Sequence, residues 1–367
     1  MNEVLLAVLV CCGIAVALTI LILIVNATVG NYGECELDIN DGSKKLTVEG
    51  GESLLSSLNS QGIFIPSACG GKGSCGLCKL KITAGGKDVL PTEIPWLTKE
   101  EIAEQIRLSC QVKVKNDMKL EIPEEYFNVK EFSTIITSIK DLTHDIKEIV
   151  IDLKKPSEIN FKAGQFMQIK VPKYELSNEE VYRAYSLSSS SSERKTLEFE
   201  IRLVPNGICT SYVHQYLKEG DKLTVNGPYG DFYLQDTDSE IVCIAGGSGM
   251  APIKSILHYM NEKQINRRTR YFFGARSRKD LFLEDTMEKL EKEMPDFKFI
   301  PALSSPEPED NWIGENGLIT DVLDKHLEGG NNTEAYLCGS PGMINACIEI
   351  LLKNGVPEDK IYYDKFA

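Results

Sequence analysis

This 367-residue chain reads as a multidomain protein with four parts in series: an N-terminal transmembrane helix, an α+β domain, an antiparallel β-barrel and an α/β domain on a parallel sheet. Three observations predict that arrangement. Residues 4–25 carry no charge, a glycine-rich loop holds three closely spaced cysteines, and strand-like runs in the middle give way to strand–helix alternation. Length agrees, because one hydrophobic core rarely organises more than about 250–300 residues. With 42 % apolar and 26 % charged residues, a largely disordered or fibrous chain is excluded.

Charge and cysteine usage narrow the class further. Against 40 bases stand 54 acids, for a net charge of −14. A nucleic-acid-binding surface is usually basic, so that function is excluded, and anionic lipid would repel this surface. The excess is distributed, with −1 over residues 1–30, −4 over 31–128 and −9 over 129–367, so no acidic tail accounts for it. Eleven cysteines is an odd number on a long chain, unlike a short, evenly paired disulfide scaffold. A reducing compartment with some thiols used as ligands fits better.

The first part, residues 1–30, is built on Val4–Val25, VLLAVLVCCGIAVALTILILIV. At about 1.5 Å per residue this run covers roughly 30 Å, the hydrocarbon thickness of a bilayer. A cleaved signal peptide has a basic start and a shorter apolar core, whereas Met1-Asn2-Glu3 is acidic. The expectation is a retained anchor helix, in which Cys11 and Cys12 serve as small, lipid-tolerant residues. Its orientation cannot come from positive flanks, since the nearest bases are Lys44 and Lys45.

The second part, residues 31–128, opens with alternating runs at Cys35–Ile39 and Lys45–Glu49, a predicted hairpin. Helical spacing follows over Ser53–Ser60, with Ser53 as N-cap. Next comes SACGGKGSCGLCKL, where Cys69, Cys75 and Cys78 are spaced C-x5-C-x2-C; Cys110 follows after 31 intervening residues. Four thiolates suit zinc or an iron–sulfur cluster. A zinc ribbon pairs two C-x2-C knuckles, and Cys110 has no such neighbour. Three ligands on one loop with a distant fourth is the 2Fe–2S arrangement, one loop residue longer than the plant-type spacing. Gly70, Gly71, Gly73 and Gly76 allow the backbone path such a loop needs.

In the third part, residues 129–235, the runs STIITSI, IKEIVIDL, GQFMQIKV, TLEFEIRLV and DKLTVNG are divided by turns, as in a small antiparallel barrel. Arg183-Ala-Tyr185-Ser186 puts a guanidinium fork suited to pyrophosphate beside a phenol that can stack on a ring, both on one strand face. Gly207-Ile-Cys-Thr210-Ser211 leads into a helix at Tyr212–Leu217, and glycine plus hydroxyls at a helix start is an anion site.

The fourth part, residues 236–367, alternates strand and helix, as a parallel sheet does. Buried strand Ile241–Ala245 runs into GGSGMAP, where Gly246, Gly247 and Gly249 permit a tight turn whose amides meet phosphate at the next helix. Further strands are predicted at Thr269–Ala275, Phe297–Leu303, Ala335–Cys338 and Ile361–Tyr363. Cys338-Gly-Ser-Pro-Gly-Met343 sits at a strand end, where such folds bind ligands.

Taken in chain order, the cysteine loop, Arg183–Ser186, Gly227-Pro-Tyr-Gly230, Gly246–Pro252 and Cys338–Pro341 resemble the ferredoxin–NADP reductase superfamily, in the branch with a fused N-terminal ferredoxin domain. The anchor, the x5 spacing and the run LPTE…RLSCQVKVKNDMKLEIPEE make the chain similar, over nearly its whole length, to the F subunits of sodium-translocating NADH:quinone oxidoreductases. Two features depart from that family. The stretch between Lys170 and Arg183 is short, and the ending from Tyr363 to Ala367 also resembles the reductase components of multicomponent monooxygenases.

The resemblance implies a ferredoxin-like β-grasp domain with a 2Fe–2S cluster on Cys69, Cys75, Cys78 and Cys110, an FAD-binding barrel and an NADH-binding α/β domain. NADH yields two electrons as hydride and the cluster takes one at a time, so the flavin stands between them. It further implies that Arg183 holds the FAD pyrophosphate with Gly207, Thr210 and Ser211 opposite, Tyr185 packs on the flavin and Ser186 reaches its N5. Gly246, Gly247 and Gly249 would cradle NADH phosphates. Arg276 and Arg278 could contact the 2′-phosphate of NADPH, a ribose edge or only solvent, and the resemblance favours NADH. Cys338 would lie by the nicotinamide, Asp364 would supply a proton, and Phe366 would cover the flavin. Against these roles stand plain packing of Phe366 and Cys338. Cys209 and Cys243 read as packing, and the four histidines show no metal spacing.

Partners follow from the same likeness: other membrane subunits of a quinone-reducing complex, with quinone reached indirectly. NADH is cytosolic, so the soluble domains are expected on the cytoplasmic side of the plasma (inner) membrane, with Met1 at the opposite face. One apolar helix without charged groups cannot carry sodium. The alternative is a membrane-anchored NADH-dependent reductase feeding an oxygenase or another one-electron acceptor. A redox-inert assembly anchor is opposed by the intact cysteines together with Arg183 and Ser186.

Overall fold

The computed structural model describes residues 2–29, 32–327 and 329–366. Helix α1, Asn2–Val29, is one continuous element whose Leu5, Val8, Leu9, Ile14 and Ile20 are exposed. Within it the Thr19 hydroxyl donates to the Ala15 carbonyl at 2.8 Å, so its polar group is satisfied inside the helix. Its described side chains run unbroken over residues 8–20, and no helix among the described residues is long and apolar enough to cross a membrane. The expected placement of Met1 lies outside the described residues.

The chain divides into two compact units, one of Met1–Ile65 with Gly71–Asn128, the other of Pro66–Gly70 with Val129–Ala367. In the first, β1 (Glu34–Ile39) and β2 (Lys44–Glu49) form the predicted hairpin, Leu37 opposite Leu46. Ser53 caps α2 (Leu54–Ser60) by accepting the Ser56 N–H at 3.1 Å. After the cysteine loop come β3 (Lys79–Ala84), α3 (Lys99–Ala103), β4 (Ile106–Leu108) and β5 (Met118–Glu121). The sheet order is β2-β1-β5-β3-β4, with β1 and β5 parallel and the other pairs antiparallel. Leu37, Ile39, Leu54, Leu58, Leu108 and Val114 form its solvent-free centre, giving the α+β grasp of one helix on a mixed sheet.

A buried ion pair crosses this unit. Arg107 Nη2 meets Glu93 Oε2 at 2.6 Å, with the side chains 6 % and 0 % exposed. Glu93 also accepts the N–H groups of Leu90 and Leu108, each at 2.9 Å, and Arg107 donates to the Lys87 carbonyl. Burial works to raise the Glu93 carboxyl, but Arg107 and the two amides outweigh it and hold the group below its ordinary value.

The second unit begins with the barrel strands β6 (Lys130–Asp141), β7 (Ile146–Lys155), β8 (Phe166–Val171), β9 (Val181–Ser186) and β10 (Thr196–Arg202). Helix α4 (Ile208–Gln215) precedes β11 (Lys222–Tyr229). All pair antiparallel in the order β10-β7-β6-β11-β8-β9, and a bridge from Leu187 to Phe199 joins the two ends. Barrel closure removes the free edges.

The α/β part comprises β12 (Glu240–Gly246), α5 (Met250–Lys263), β13 (Thr269–Ala275), α6 (Glu284–Glu293), β14 (Phe297–Leu303), β15 (Glu315–Asn316), α7 (Ile319–His326), β16 (Thr333–Gly339), α8 (Pro341–Lys353) and β17 (Ile361–Lys365). Strands run parallel in the order β15-β14-β13-β12-β16-β17. From β12 the chain winds outward through β13 and β14, then returns to β12's other side as β16. Order therefore reverses between β12 and β16, and the carboxyl ends of those two strands flank the crevice such folds use for ligands.

Arg107→Met leaves the Glu93 carboxylate buried without its cation and is expected to cost about 3–5 kcal/mol of stability. Lys45→Met, which breaks a pair with side chains 58 % and 49 % exposed, should stay within about 0.5 kcal/mol. Urea unfolding followed by Trp96 fluorescence in a Trp312→Phe background measures both. Because the Glu93 carboxyl is depressed, the contribution of the pair is present above the ordinary carboxylate range and is lost as pH falls through the lowered value.

Candidate functional site

The cysteine loop lies between α2 and β3. Gly70, Gly71, Gly73 and Gly76 have φ of +63°, +86°, +71° and +71°, the left-handed region that favours glycine. A side chain at Gly76 would also stand 2.9 Å from Trp96. The Ser109 N–H donates to the Cys78 carbonyl at 2.8 Å, which ties β3 to the segment after β4 and sets Cys78 against Cys110. Their side chains hydrogen-bond, and that bond together with burial pushes the Cys78 thiol well up. Gln111 donates from Nε2 to the Cys110 sulfur at 3.4 Å while accepting from Thr92 Oγ1 at 3.0 Å. Cys69 and Cys75 are half-buried. No group of three or more His, Cys, Asp or Glu among the described residues is arranged to hold a metal ion. What the loop offers is glycine-turned backbone, two thiols in contact and an amide donor on one sulfur, chemistry that fits a sulfur-ligated cluster.

On the barrel, β9 pairs with β8 so that Arg183, Tyr185 and Ser186 lie opposite Ile169, Met167 and Phe166. Ser186 is buried; Arg183 and Tyr185 are half-buried, and Arg183 Nη1 donates to the Tyr182 carbonyl at 2.8 Å. Gly207 is the N-cap of α4, where a side chain would press 2.6 Å from Thr210 Oγ1. The Thr210 hydroxyl accepts the Val204 N–H at 3.1 Å and donates to the Val204 carbonyl at 3.2 Å, so it closes the 204–210 turn itself. Ser211 is buried behind it, its N–H donating to the Gly207 carbonyl at 2.8 Å.

Cys209 packs with Val171 and Val181, as its sequence position suggests, and the structure adds a side-chain hydrogen bond with Tyr185; burial pushes its thiol up to about 12. Only its place between Gly207 and Thr210 hinted at that bond. Two residues beyond Ser186, the Ser188 hydroxyl is buried with no partner. A half-buried guanidinium, a phenol and an orphaned hydroxyl within six residues, at Arg183, Tyr185 and Ser188, suit a flavin nucleotide.

At the carboxyl end of the parallel sheet, the Gly247–Gly249 turn links β12 to α5. Gly247 has φ +58°, and a side chain on Gly249 would stand 2.2 Å from the Cys338 carbonyl oxygen. Cys338 is fully buried, between Ala245 of β12 and Asp364 of β17 in register; burial and then Asp364 push its thiol well above the ordinary range. Desolvation lifts the Asp364 carboxyl to about 6. Beyond β17 the Phe366 N–H donates to the Gly339 carbonyl at 2.8 Å, which holds that residue at the same sheet end. Gly246, Gly247, Gly249, Cys338, Asp364 and Phe366 are thus gathered around the β12–β16 reversal.

Arg276 is exposed just past β13, whereas Arg278 is engaged by Glu284 at 2.5 Å and lies 5.7 Å from the Trp312 ring centre. Of the histidines, His214 bonds the Ile201 carbonyl at 2.9 Å and His326 pairs with Glu315 at 2.7 Å, both inside the fold's own network.

Family profiles match in the order the geometry has it: the 2Fe-2S iron-sulfur cluster binding domain over residues 37–115, the oxidoreductase FAD-binding domain over 133–233, and the oxidoreductase NAD-binding domain over 243–349. The F subunit of the Na(+)-translocating NADH-quinone reductase of Neisseria gonorrhoeae is 38 % identical over 405 aligned positions, covering all of both chains. The chain belongs to the family of these F subunits. Its relative in Serratia proteamaculans is 37 % identical with full coverage of both, and that in Idiomarina loihiensis 36 % over 96 % of this chain and 97 % of its own. Among solved structures, Amycolatopsis cytochrome P450 reductase GcoB is similar with a TM-score of 0.72 at 26 % identity, covering 90 % of this chain and 98 % of that one. The ferredoxin reductase in carbazole 1,9a-dioxygenase is similar with a TM-score of 0.70 at 27 % identity, covering 91 % and 98 %.

As a member of that family, the chain is an oxidoreductase that uses NADH, FAD and a 2Fe–2S cluster. Its β8–β9 connection is short, closed by a bridge between Tyr174 and Ser177. Alignments running to 405 positions against 367 residues mean that the Neisseria gonorrhoeae relative carries insertions this chain lacks.

Gly249→Ala must displace either the turn or the end of β16, and a shift near 1 Å at a reacting centre costs about 100-fold. NADH oxidation by Gly249→Ala should fall by at least about that factor in kcat/KM with flavin content retained. Gly342→Ala, whose new methyl meets nothing within 4 Å, serves as the control and should match the parent.

Proposed function

We propose that the chain is the electron-input component of a membrane complex that oxidises NADH and delivers electrons to partner subunits and finally to quinone. The observation that carries this reading is the full-length match to the F subunits, with all three domains present in one chain. Helix α1 would anchor it in the plasma (inner) membrane, with the soluble domains on the cytoplasmic side, where NADH is. Its uncharged run over residues 4–25 supports that placement. Sodium movement would belong to the partners, because a lone apolar helix offers an ion no ligands.

In this reading Cys69, Cys75, Cys78 and Cys110 hold the cluster. Arg183, Tyr185, Ser186 and the 207–211 turn hold FAD, and the Gly246–Gly249 turn receives the NADH phosphates with Arg276 at the ribose. Bound flavin supplies the conversion between a two-electron donor and a one-electron carrier. Cys338 stays protonated and packs the end of β16 without adding charge. Asp364, with its carboxyl near 6, is ionised at neutral pH and takes up a proton as pH falls below that value. Phe366, tied to Gly339, stands as the aromatic cover at the sheet end.

Two measurements test the proposal. In Cys75→Ala, NADH should still bleach the flavin absorbance while cluster reduction, read by electron paramagnetic resonance, is lost. Normal transfer to the physiological acceptor by that variant would overturn the linear order. Extraction from native membranes in mild detergent should co-purify several multi-span subunits and sodium-stimulated quinone reduction. An isolated, sodium-indifferent protein would instead favour a reductase that serves an oxygenase.

A further inference from the structure

A cluster of charge with one unsatisfied member lies where the barrel meets α5. Lys254, only 7 % exposed, projects from the second turn of α5 into three carboxylates. Its Nζ is 3.0 Å from Glu198, 3.5 Å from Glu148 and 3.6 Å from Glu200. Glu148 on β7 and Glu200 on β10 are register partners, and Glu198 is two residues along β10, so all three face the same way. The Glu200 side chain is 0 % exposed, and neither of its carboxylate oxygens has a hydrogen-bond partner. Every other acid in the group has a better contact. Glu198 accepts from Lys254, and Glu148 has Lys140 of β6 at 3.6 Å as well.

The remaining neighbours add little positive charge. His258 lies one turn further along α5, and burial depresses its imidazole below the ordinary value. Tyr271 of β13 is buried beside Glu200 with its phenol pushed far up. Arg202, next along β10 on the same face, is taken by Asp145 at 2.6 Å. Glu198 is one third exposed, but Glu148 and Glu200 are largely shut off from water, and with one ammonium among three carboxylates the fully buried Glu200 is the one that ionises least cheaply.

We propose that Glu200 is a positioning residue that holds a proton at the joint between the barrel and α5, and through Lys254 sets how tightly the Gly247–Gly249 turn binds NADH. The coupling is short. Lys254 stands five residues after Gly249, and a second tie, Ser255 Oγ donating to the Ser189 carbonyl at 2.6 Å, fixes the same helix to the barrel. β10 also flanks the turn itself: a side chain on Gly247 would stand 3.3 Å from Arg202 Nη1. With Glu200 neutral, Lys254 is shared by Glu198 and Glu148. When Glu200 loses its proton, Lys254 is drawn toward it and the base of α5 gains one negative charge, which opposes a dinucleotide carrying phosphate charge at the helix start. Burial supports the assignment, since it lifts the Glu200 carboxyl to about 7. The sign follows: NADH affinity is high below that value and falls as pH rises through it.

This inference rests on the assignment of the Gly247–Gly249 turn to NADH, so the test separates the two. Full-length holoprotein is assayed for NADH:ferricyanide activity between pH 5.5 and 9, with KM and kcat resolved and flavin absorbance confirming cofactor content. In the parent, KM for NADH should rise about fivefold around pH 7 while kcat changes less than about twofold there, the size expected when a ligand shifts a coupled group by under one pKa unit. Glu200→Gln should keep the low KM with a flat profile, and Glu200→Asp should keep the inflection. Lys254→Gln should move it to higher pH. A flat parent profile, or an undiminished inflection in flavin-replete Glu200→Gln, overturns the proposal. If Gly249→Ala leaves KM for NADH unchanged, the turn assignment itself fails; if it raises KM while Glu200→Gln keeps its inflection, only the joint proposal fails.

Discussion

The close approach of Gly249 to the Cys338 carbonyl is the constraint on which the carboxyl end of the parallel sheet depends. With 2.2 Å where a side chain would begin, the turn after β12 and the end of β16 are pressed together, and only glycine fits. That contact occurs at the strand-order reversal, so a topological feature of the sheet and a steric feature of one residue coincide. β17 then adds Asp364 beside Cys338, and the Phe366–Gly339 backbone hydrogen bond holds residue 366 at the same sheet end. Residues from three distant stretches of sequence converge there because parallel pairing aligns their strand ends.

Two buried ionic groups in the protein show opposite solutions to one problem. Glu93 and Arg107 are matched one to one, and each oxygen of the carboxylate has donors from side chain or backbone. The group around Lys254 is mismatched by two charges and leaves one carboxylate without a donor. A satisfied pair of the first kind locks one geometry, whereas a frustrated group of the second kind has two nearly balanced arrangements. The matched pair ties residues 87–93 to β4, while the mismatched one lies between parts of an enzyme that handles an anionic substrate.

Much of the architecture was legible in the sequence because its signals are local. The β1–β2 hairpin, the Ser53 cap, the barrel runs and the alternation from β12 onward each follow from patterns a few residues long. β3, β4 and β5 were not read, since they are three to six residues each and separated by the cysteine loop and by turns, with pairing set by distant partners. In the site, the glycine positions were readable because left-handed backbone leaves a residue-type signature. The Thr210 hydroxyl closing its own turn and the Cys209–Tyr185 bond were not, because both depend on how α4 meets β9 in space. Glu200 was invisible for the same reason: on a strand with charge at alternate positions it looks like a solvated face until α5 covers it.

Burial also sorts the thiols by chemical temper. Cys209, Cys243 and Cys347 are held near 12 and Cys338 is pushed well above the ordinary thiol range, all inside packed cores, so thiolate is scarce at each of them. Cys69 and Cys75 are half-open to solvent, and Cys11 and Cys12 are exposed along α1. Alkylating reagents attack thiolate that they can reach, so among the water-facing parts the accessible thiols are those of the glycine-rich loop, while Cys35, Cys78 and Cys110 are buried like the thiols of the nucleotide-binding domains. A maleimide dye applied to the native chain would therefore report on the glycine-rich loop, turning Cys69 and Cys75 into a built-in gauge of whether that loop is occupied.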